Sequence, residues 1–286
     1  MGRIGIIGGS GLYKIEGINN VKEMSLTTPF GKPSGKFIVG TLEGKEIVFL
    51  PRHDVGHRIC PSKINYRANI FGMKKLGVER IISVAACGSL KEELKPMDFV
   101  VVDQFLDRTN NAREMTFFDN GIVAHIVFAH PVCGHLAEEI YSSGKSLKLN
   151  IHKGGTYLNM EGPAFSTLAE SNLYRSWGMD IIGMTNMAEA KLAREAEICY
   201  STLAAVTDYD CWHPSHESVT VEMVIRNLQN NVENAKQIIS HVVKNIEPQR
   251  NCACKDALTF AIITDRKLIP AKIKQDLKVI IGKYIK

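Results

Sequence analysis

The sequence lacks several features that define whole classes of protein. No apolar run among its 286 residues approaches the ~20 residues of a membrane-crossing helix. The chain also runs directly into "RIGIIGG" with no cleavable leader, so a soluble, cytoplasmic protein is expected. There is no dense basic stretch. The 35 Lys and Arg stand against 30 Asp and Glu, and only the tail from Lys267 to Lys286 is enriched. That balance suits a small anionic substrate better than nucleic acid, and no nucleic-acid or membrane partner is expected. The seven cysteines contain no CxxC pair, so the spacing suggests neither zinc nor a thioredoxin-like site, and no metal is expected. Cys252-Ala-Cys254 fits idle thiols in a loop as well as a redox or disulfide pair. Repeats and low-complexity segments are missing too.

What is present is alternation. Short, near-continuous apolar runs at 3–9, 46–51, 80–88, 98–105, 180–186 and 200–208 read as strands buried on both faces. Between them, 66–78, 132–147, 164–178, 188–197 and 220–246 carry apolar residues at helical spacing. The pattern predicts an α/β fold with a mostly parallel or mixed sheet over residues 1–246. A polar break from Pro248 leads into an extension, 247–286, with short helices that could pack on this core or on another subunit.

Several strand ends carry residues suited to anions. In "GIIGGSGL", Gly8, Gly9 and Gly11 allow close backbone approach and Ser10 adds a hydroxyl, although a plain tight turn would read the same. The third glycine of a dinucleotide fingerprint is missing, as is the Lys of a P-loop. "PRHDVGH" places Arg52 and His53 after a strand, as a fork for phosphate or as one half of a surface ion pair. In "AACGSL", the small Ala85 and Ala86 let a ligand lie on the backbone, and Cys87 reads as a buried structural thiol. Phe165 opens a helix after Gly162-Pro163, either as a stacking ring or as a core aromatic; Met184 and Thr185 end a strand in "GMTN". Last, "TDYDCW" presents Asp208 and Asp210 directly after a buried run, as a chemical pair or as a cap and a turn residue.

Taken in order, "GIIGGSGL", "TPFGKPS", "RHDVGH", "PSKINYRANI", "ACGSL", "DQFLDRT", "EGPAFS", "MTNMAEAKLAREAEICY" and "TDYDCW" resemble the methylthioadenosine phosphorylases, a branch of the trimeric purine nucleoside phosphorylase family. The resemblance runs from about residue 4 to about 246. It implies a single-domain phosphorylase-type fold, with a central mixed β-sheet flanked by helices, in a homotrimer or homohexamer with shared sites. The implied reaction is phosphorolysis of 5′-methylthioadenosine to adenine and 5-methylthioribose 1-phosphate, with phosphate as co-substrate and no metal or organic cofactor. Carried over by position, Ser10, Arg52, His53, the backbone at Ala85 and Ala86, and Thr185 would hold phosphate. Met184 would meet the ribose, Phe165 the purine face, and Asp208 and Asp210 the purine edge. Ser166 and Val221 would set substrate preference, with Val221, Val224 and Ile225 lining a methylthio pocket. His125 would reach a neighbouring subunit's site. One departure stands out: Ala85 replaces the Thr of the human-type pattern, removing a neutral hydrogen bond worth on the order of 1 kcal/mol.

The two aspartates then have a chemical reason. A departing purine needs a proton at N7 while the sugar becomes oxocarbenium-like, and phosphate supplies both the nearby anion and the nucleophile. A neutral Asp208 can donate to N7 if burial raises its pKa, and Asp210 can accept from the 6-amino group. Relatives that favour 6-oxopurines carry Asn at the Asp208 position, so Asp208 points to adenine. An NAD-dependent oxidoreductase would leave Arg52, His53 and the aspartate pair without a role, and a non-catalytic nucleoside binder would not need Arg52; within the same class, the alternative is a broader purine nucleoside phosphorylase acting on adenosine or inosine.

Overall fold

The computed structural model describes residues 2–9, 12, 17–110, 113–214 and 220–285. Ser10 and Gly11 therefore lie outside the described residues. In chain order the strands are β1 Arg3–Gly8, β2 Asn19–Met24, β3 Phe37–Leu42, β4 Lys45–Pro51, β5 Val78–Ser89, β6 Phe99–Val101, β7 Gln104–Arg108, β8 Ile151–Lys153, β9 Thr156–Met160, β10 Ile181–Gly183 and β11 Cys199–Asp208. The helices are α1 Tyr66–Lys75, α2 Gly134–Ser146, α3 Leu168–Ser176, α4 Asn186–Glu195, α5 Val221–Asn245, α6 Ala271–Asp276 and α7 Lys278–Ile281.

The most apolar runs become the innermost strands. Every residue of β11 is buried, and β5 pairs in parallel with β1 on one edge and with β11 on the other. The sheet is mixed: β1–β4 and β9–β10 are parallel, whereas β3–β4, β6–β11 and β5–β10 are antiparallel. Helices cover both faces, as a sheet apolar on both sides requires. Ile70, Phe71 and Met73 of α1 pack with Ala190 and Leu192 of α4, while Leu136 and Ile140 of α2 pack with Ile238 and Val242 of α5.

Two boundaries differ from the sequence pattern. The run at 98–105 is two strands, because β6 pairs with β11 and β8 whereas β7 pairs with β9. Asp103, between them, accepts the Gly155 amide through Oδ1. The helix expected from 164 starts at Leu168: Thr167 accepts from the Glu170 amide while the Glu170 carboxylate accepts from the Thr167 amide, a capping box that fixes the start. Strands β2 and β8 carry too little apolar signal to stand out, all six residues of β2 being exposed, whereas β3 (FIVGTL) and β9 (TYLNM) are apolar strands that the sequence pattern above leaves out.

The extension packs on the core of its own chain. Leu258, Ala261, Ile269, Leu277, Ile280 and Ile281 are buried in one cluster with Ile7, Phe37 and the α1 face. Truncating Ile280 to Ala should therefore cost about 2–5 kcal/mol of unfolding free energy, read from urea denaturation. A loss well below ~1 kcal/mol would show an extension that contributes little to the folded core.

Candidate active site

Parallel strands that end together put their last residues on one rim. β1 runs beside β4 to Gly8↔Pro51 and beside β5 to Ile7↔Ser83, and the Arg52 amide donates to the Gly8 carbonyl at 2.9 Å. Beyond Ser83, the β1 edge of β5 meets no strand until Gly88, where β10 begins to pair. The backbone from Val84 to Cys87 thus faces a gap among the described strands. Ala85 and Ala86 sit in it, with only methyl side chains of their own. A Cβ placed on Gly9, across the rim, would touch nothing within 4 Å.

The N-terminus of α4 closes the third side. Thr185 is its N-cap residue, buried, and its side chain makes no cap bond but contacts Asn186 Oδ1 at 3.3 Å. The Met187 amide of the first turn is taken by Asn159 Oδ1 at 3.0 Å, and the positive end of the helix dipole favours an anion at such a point. Asn186 ties this end to β5 by donating to Ser83 Oγ at 2.9 Å.

Arg52 is not on the surface. Its side chain is only 2% exposed and is paired with the equally buried Glu189 of α4. Nε and Nη2 donate to the two Glu189 carboxylate oxygens, Nη2 also to Ser83 Oγ, and Nη1 to the Val84 carbonyl. A second Nη1 hydrogen remains beyond these bonds. The expected phosphate fork is therefore largely committed to Glu189, and the guanidinium stays charged. His53 also departs from expectation. Burial and the Arg52 charge push its pKa down to about 4, and Nδ1 lies 2.7 Å from the Ile59 carbonyl. The ring is neutral at pH 7 with its proton on Nδ1, which leaves Nε2 as an acceptor rather than a cationic donor.

The purine-side residues gather at the end of β11. Asp208 lies opposite Gly88, and a Cβ at Gly88 would come within 2.8 Å of Asp208 Oδ1, so only glycine leaves that carboxyl its place. Burial raises the Asp208 pKa from 3.8 to about 6, with the Asp210 charge adding to the effect. Its Oδ1 is 2.8 Å from the Asp210 amide and Oδ2 is 2.7 Å from Thr207 Oγ1. Thr207 Oγ1 also lies 3.2 Å from the Cys87 carbonyl, yet a hydroxyl has one hydrogen. Both contacts are satisfied when Asp208 is protonated and donates to Thr207, which passes its own hydrogen to Cys87. Asp210 is buried at a left-handed φ of 51°, and its Oδ2 has no hydrogen-bond partner. Burial raises its pKa, with the Ser171 and Ser166 hydroxyls pulling back. A capping or solvated turn role does not fit these two groups. Cys87 is a buried thiol whose pKa burial drives up, as expected of a structural residue.

The segment 161–167 packs beside this end: Cys211 Sγ donates to the Ser166 carbonyl at 3.5 Å, and Ser166 Oγ approaches Met160 Sδ at 3.8 Å. Phe165 stands exposed on it. Gly162, with φ 70°, lets Met184 lie against the turn, because a Cβ there would meet Met184 Sδ at 2.4 Å. Val221 and Ile225 project from the first turns of α5, about half exposed, with Val224 partly buried between them. His125 is exposed in the segment that hydrogen-bonds to Ala261 and lines a cleft against the extension; no described interaction links it to Asp208 or Thr185.

Sequence reasoning missed the residues that hold this rim. Glu189, Ser83, Asn186 and Tyr200 form one buried network around Arg52, with the Tyr200 hydroxyl donating to Glu189 at 2.8 Å. Arg113 donates to the carbonyls of Met184 and Glu161 and pairs with the Glu161 carboxylate. An acidic residue in the first turn of a helix reads as a complement to the dipole, which hides the role of Glu189.

The phosphorylase superfamily profile matches residues 3–244. An S-methyl-5′-thioadenosine phosphorylase of Geobacter sulfurreducens is 57% identical over 282 residues, covering 99% of each chain. A methylthioadenosine phosphorylase structure from an antarctic soil metagenomic library superposes with a TM-score of 0.92 at 45% identity, covering 98% of each chain. The methylthioadenosine phosphorylase of Schistosoma mansoni in complex with adenine gives 0.86 at 34% identity, over 91% of this chain and 99% of that one.

Glu189→Ala would leave the Arg52 charge buried without its carboxylate. The expected cost is about 3–5 kcal/mol of stability, read from chemical unfolding. A cost under ~1 kcal/mol would mean that water or another group replaces Glu189 without strain.

Proposed function

The chain belongs to the phosphorylase superfamily, and on that premise we propose that it cleaves S-methyl-5′-thioadenosine with phosphate, giving adenine and S-methyl-5-thio-α-D-ribose 1-phosphate. The observation that carries the reading is the buried carboxyl pair, Asp208 raised to about 6 and Asp210 with an unpartnered oxygen, beside an amide-rich rim. Phosphate would lie over the gap in β5, between the Gly8–Gly9 turn and the α4 N-terminus. There the amides near Ala85 and Ala86, the Thr185 hydroxyl and the remaining Nη1 hydrogen of Arg52 supply donors. His53 Nε2 would accept a hydrogen from phosphate carrying one. Ser10 belongs to the same proposed cradle.

Adenine meets the carboxyls with matching polarity. Asp208 turns its hydrogen from Thr207 to N7 as the Thr207 hydroxyl swings from the Cys87 carbonyl back to Asp208 Oδ2, and the orphaned Asp210 oxygen accepts from the 6-amino group. Charge developing on the purine draws the proton across, while phosphate stabilises the oxocarbenium and attacks C1′. Phe165 would cover the base, with Met184 under the ribose. The methylthio group would lie against Val221, Val224 and Ile225, and Ser166 and Val221 would tune that choice. A hydroxyl in place of methylthio loses only a few kcal/mol in an apolar pocket, so adenosine is a second, poorer substrate. The exposed Phe165, Val221 and Ile225 support completion of the pocket by a neighbouring subunit, with His125 as the reaching residue of a homotrimer or homohexamer. Among the described residues no helix is long and apolar enough to cross a membrane. A cytoplasmic enzyme of purine and methionine salvage, using no resident cofactor, completes the proposal.

The direct test follows free adenine from methylthioadenosine with and without phosphate. Phosphate-dependent release is expected; release at equal rate without phosphate would make the enzyme a hydrolase. Asp208 acts in its protonated form and its pKa lies above the ordinary carboxyl range, so kcat/KM should fall as pH rises through about 6 and beyond. Asp208→Asn should remove that limb and lower the preference for adenine over hypoxanthine nucleosides by roughly 100-fold or more. An unchanged preference would refute the assignment of the purine edge. Ala85→Thr should lower the phosphate KM several-fold, about the value of one added hydrogen bond; no change would place phosphate away from Ala85.

A further inference from the structure

Four of the seven cysteines, far apart in sequence, meet at one point remote from the carboxyl pair. The sulfurs of Cys133, Cys199, Cys252 and Cys254 all lie within 4.8 Å of one another, with Cys199 and Cys252 at 3.3 Å. All four are free thiols, three of them buried and Cys252 partly so. They come from three places: Cys133 caps α2, Cys199 begins β11, and Cys252 and Cys254 flank Ala253 in the extension. The Cys133 amide donates to the Tyr200 carbonyl at 2.8 Å, which fixes the first two segments against each other.

We propose that these four sulfurs form a structural tetrathiolate site for a thiophilic divalent ion, zinc by preference. Tetrahedral zinc–sulfur bonds of about 2.3 Å set sulfur–sulfur separations near 3.8 Å, which the cluster reaches with small shifts. A four-sulfur, closed set selects zinc over harder ions and leaves no open position for catalysis. A cleft bordered by Cys133, Cys252, Cys254 and Arg194 gives the ion a route in. Arg194, which donates to the carbonyls of Val127 and His130, places a positive charge on the same wall.

The ion would pin the extension to the start of β11. Asp208 lies nine residues along the same strand, about 30 Å away at ~3.3 Å per residue, so the site's role is in stability rather than chemistry. The spacing rule that argued against a metal looks for ligands close in sequence. Here the separations run from two residues to more than a hundred, and only the fold unites them.

The test is metal analysis of the full chain, purified without oxygen or chelator from zinc-supplemented cells and passed through gel filtration. About one zinc per chain is expected, with the four thiols protected from alkylation until the ion is removed. Cobalt exchanged into the site should give the visible and near-ultraviolet bands of tetrahedral thiolate coordination. The Cys252→Ser, Cys254→Ser double variant should lose the zinc, release the extension to proteolysis, and keep phosphorolysis, which also reports that it has folded. Metal-free protein with four alkylatable thiols would overturn the proposal. So would metal-free protein lighter by the hydrogens of one or two disulfides, or a double variant that retains zinc at the wild-type level.

Discussion

The rim on which the proposed chemistry sits depends on one buried ion pair. Arg52 and Glu189 are each only 2% exposed, so each would be strongly destabilising alone. The pair persists because its remaining donors and acceptors are filled by Ser83, Tyr200 and the Val84 carbonyl, and Asn186 extends the network from Ser83 to Thr202. Those residues belong to the turn after β4, to β5, α4 and β11. The position of one guanidinium therefore sets how four elements meet, and fixes the α4 N-terminus against the gap in β5.

This arrangement also shapes the electrostatics of the anion site. Glu189 offsets the charge of Arg52 and His53 is neutral, so a phosphate over the gap would meet mainly amide dipoles and a helix end. A cradle of dipoles holds an anion without quenching its charge through a close ion pair. Phosphate would then keep its charge for the oxocarbenium, where interaction grows as the transition state is approached. The neutral His53 would fit the same pattern, offering an acceptor instead of a second cation.

Much of this was legible in the sequence, and what was not has a physical reason. The strands buried on both faces were visible because β11 and β5 are continuous apolar runs. The exposed β2 and the three-residue β8 gave no period to read. Asp208 and Asp210 stood out because two acids directly after a buried strand need a reason. For Arg52 and His53 the place after a strand was readable, but the partners, Glu189 and the Ile59 carbonyl, are set by tertiary contact. The cysteine cluster was invisible for the same cause, since its ligands are joined by the fold and not by spacing.

The two carboxyls show how burial gives one residue type two different surroundings. Asp208 has both oxygens engaged by neighbours, and its neutral form completes a chain through Thr207 to the Cys87 carbonyl. Asp210, two residues on, turns back through a left-handed backbone and leaves Oδ2 unmatched. A buried unmatched acceptor costs roughly 1–3 kcal/mol, and more if charged, so a ligand that donates there recovers that cost on binding. An adenine edge, acceptor beside donor, complements a protonated acid next to an unmatched acceptor. A 6-oxopurine would set its carbonyl oxygen against Asp210 and leave that acceptor unmatched. On the proposed reading the selectivity would follow from which carboxyl holds the proton, and burial, outweighing the pull of the Thr207 hydroxyl, favours the protonated form of Asp208.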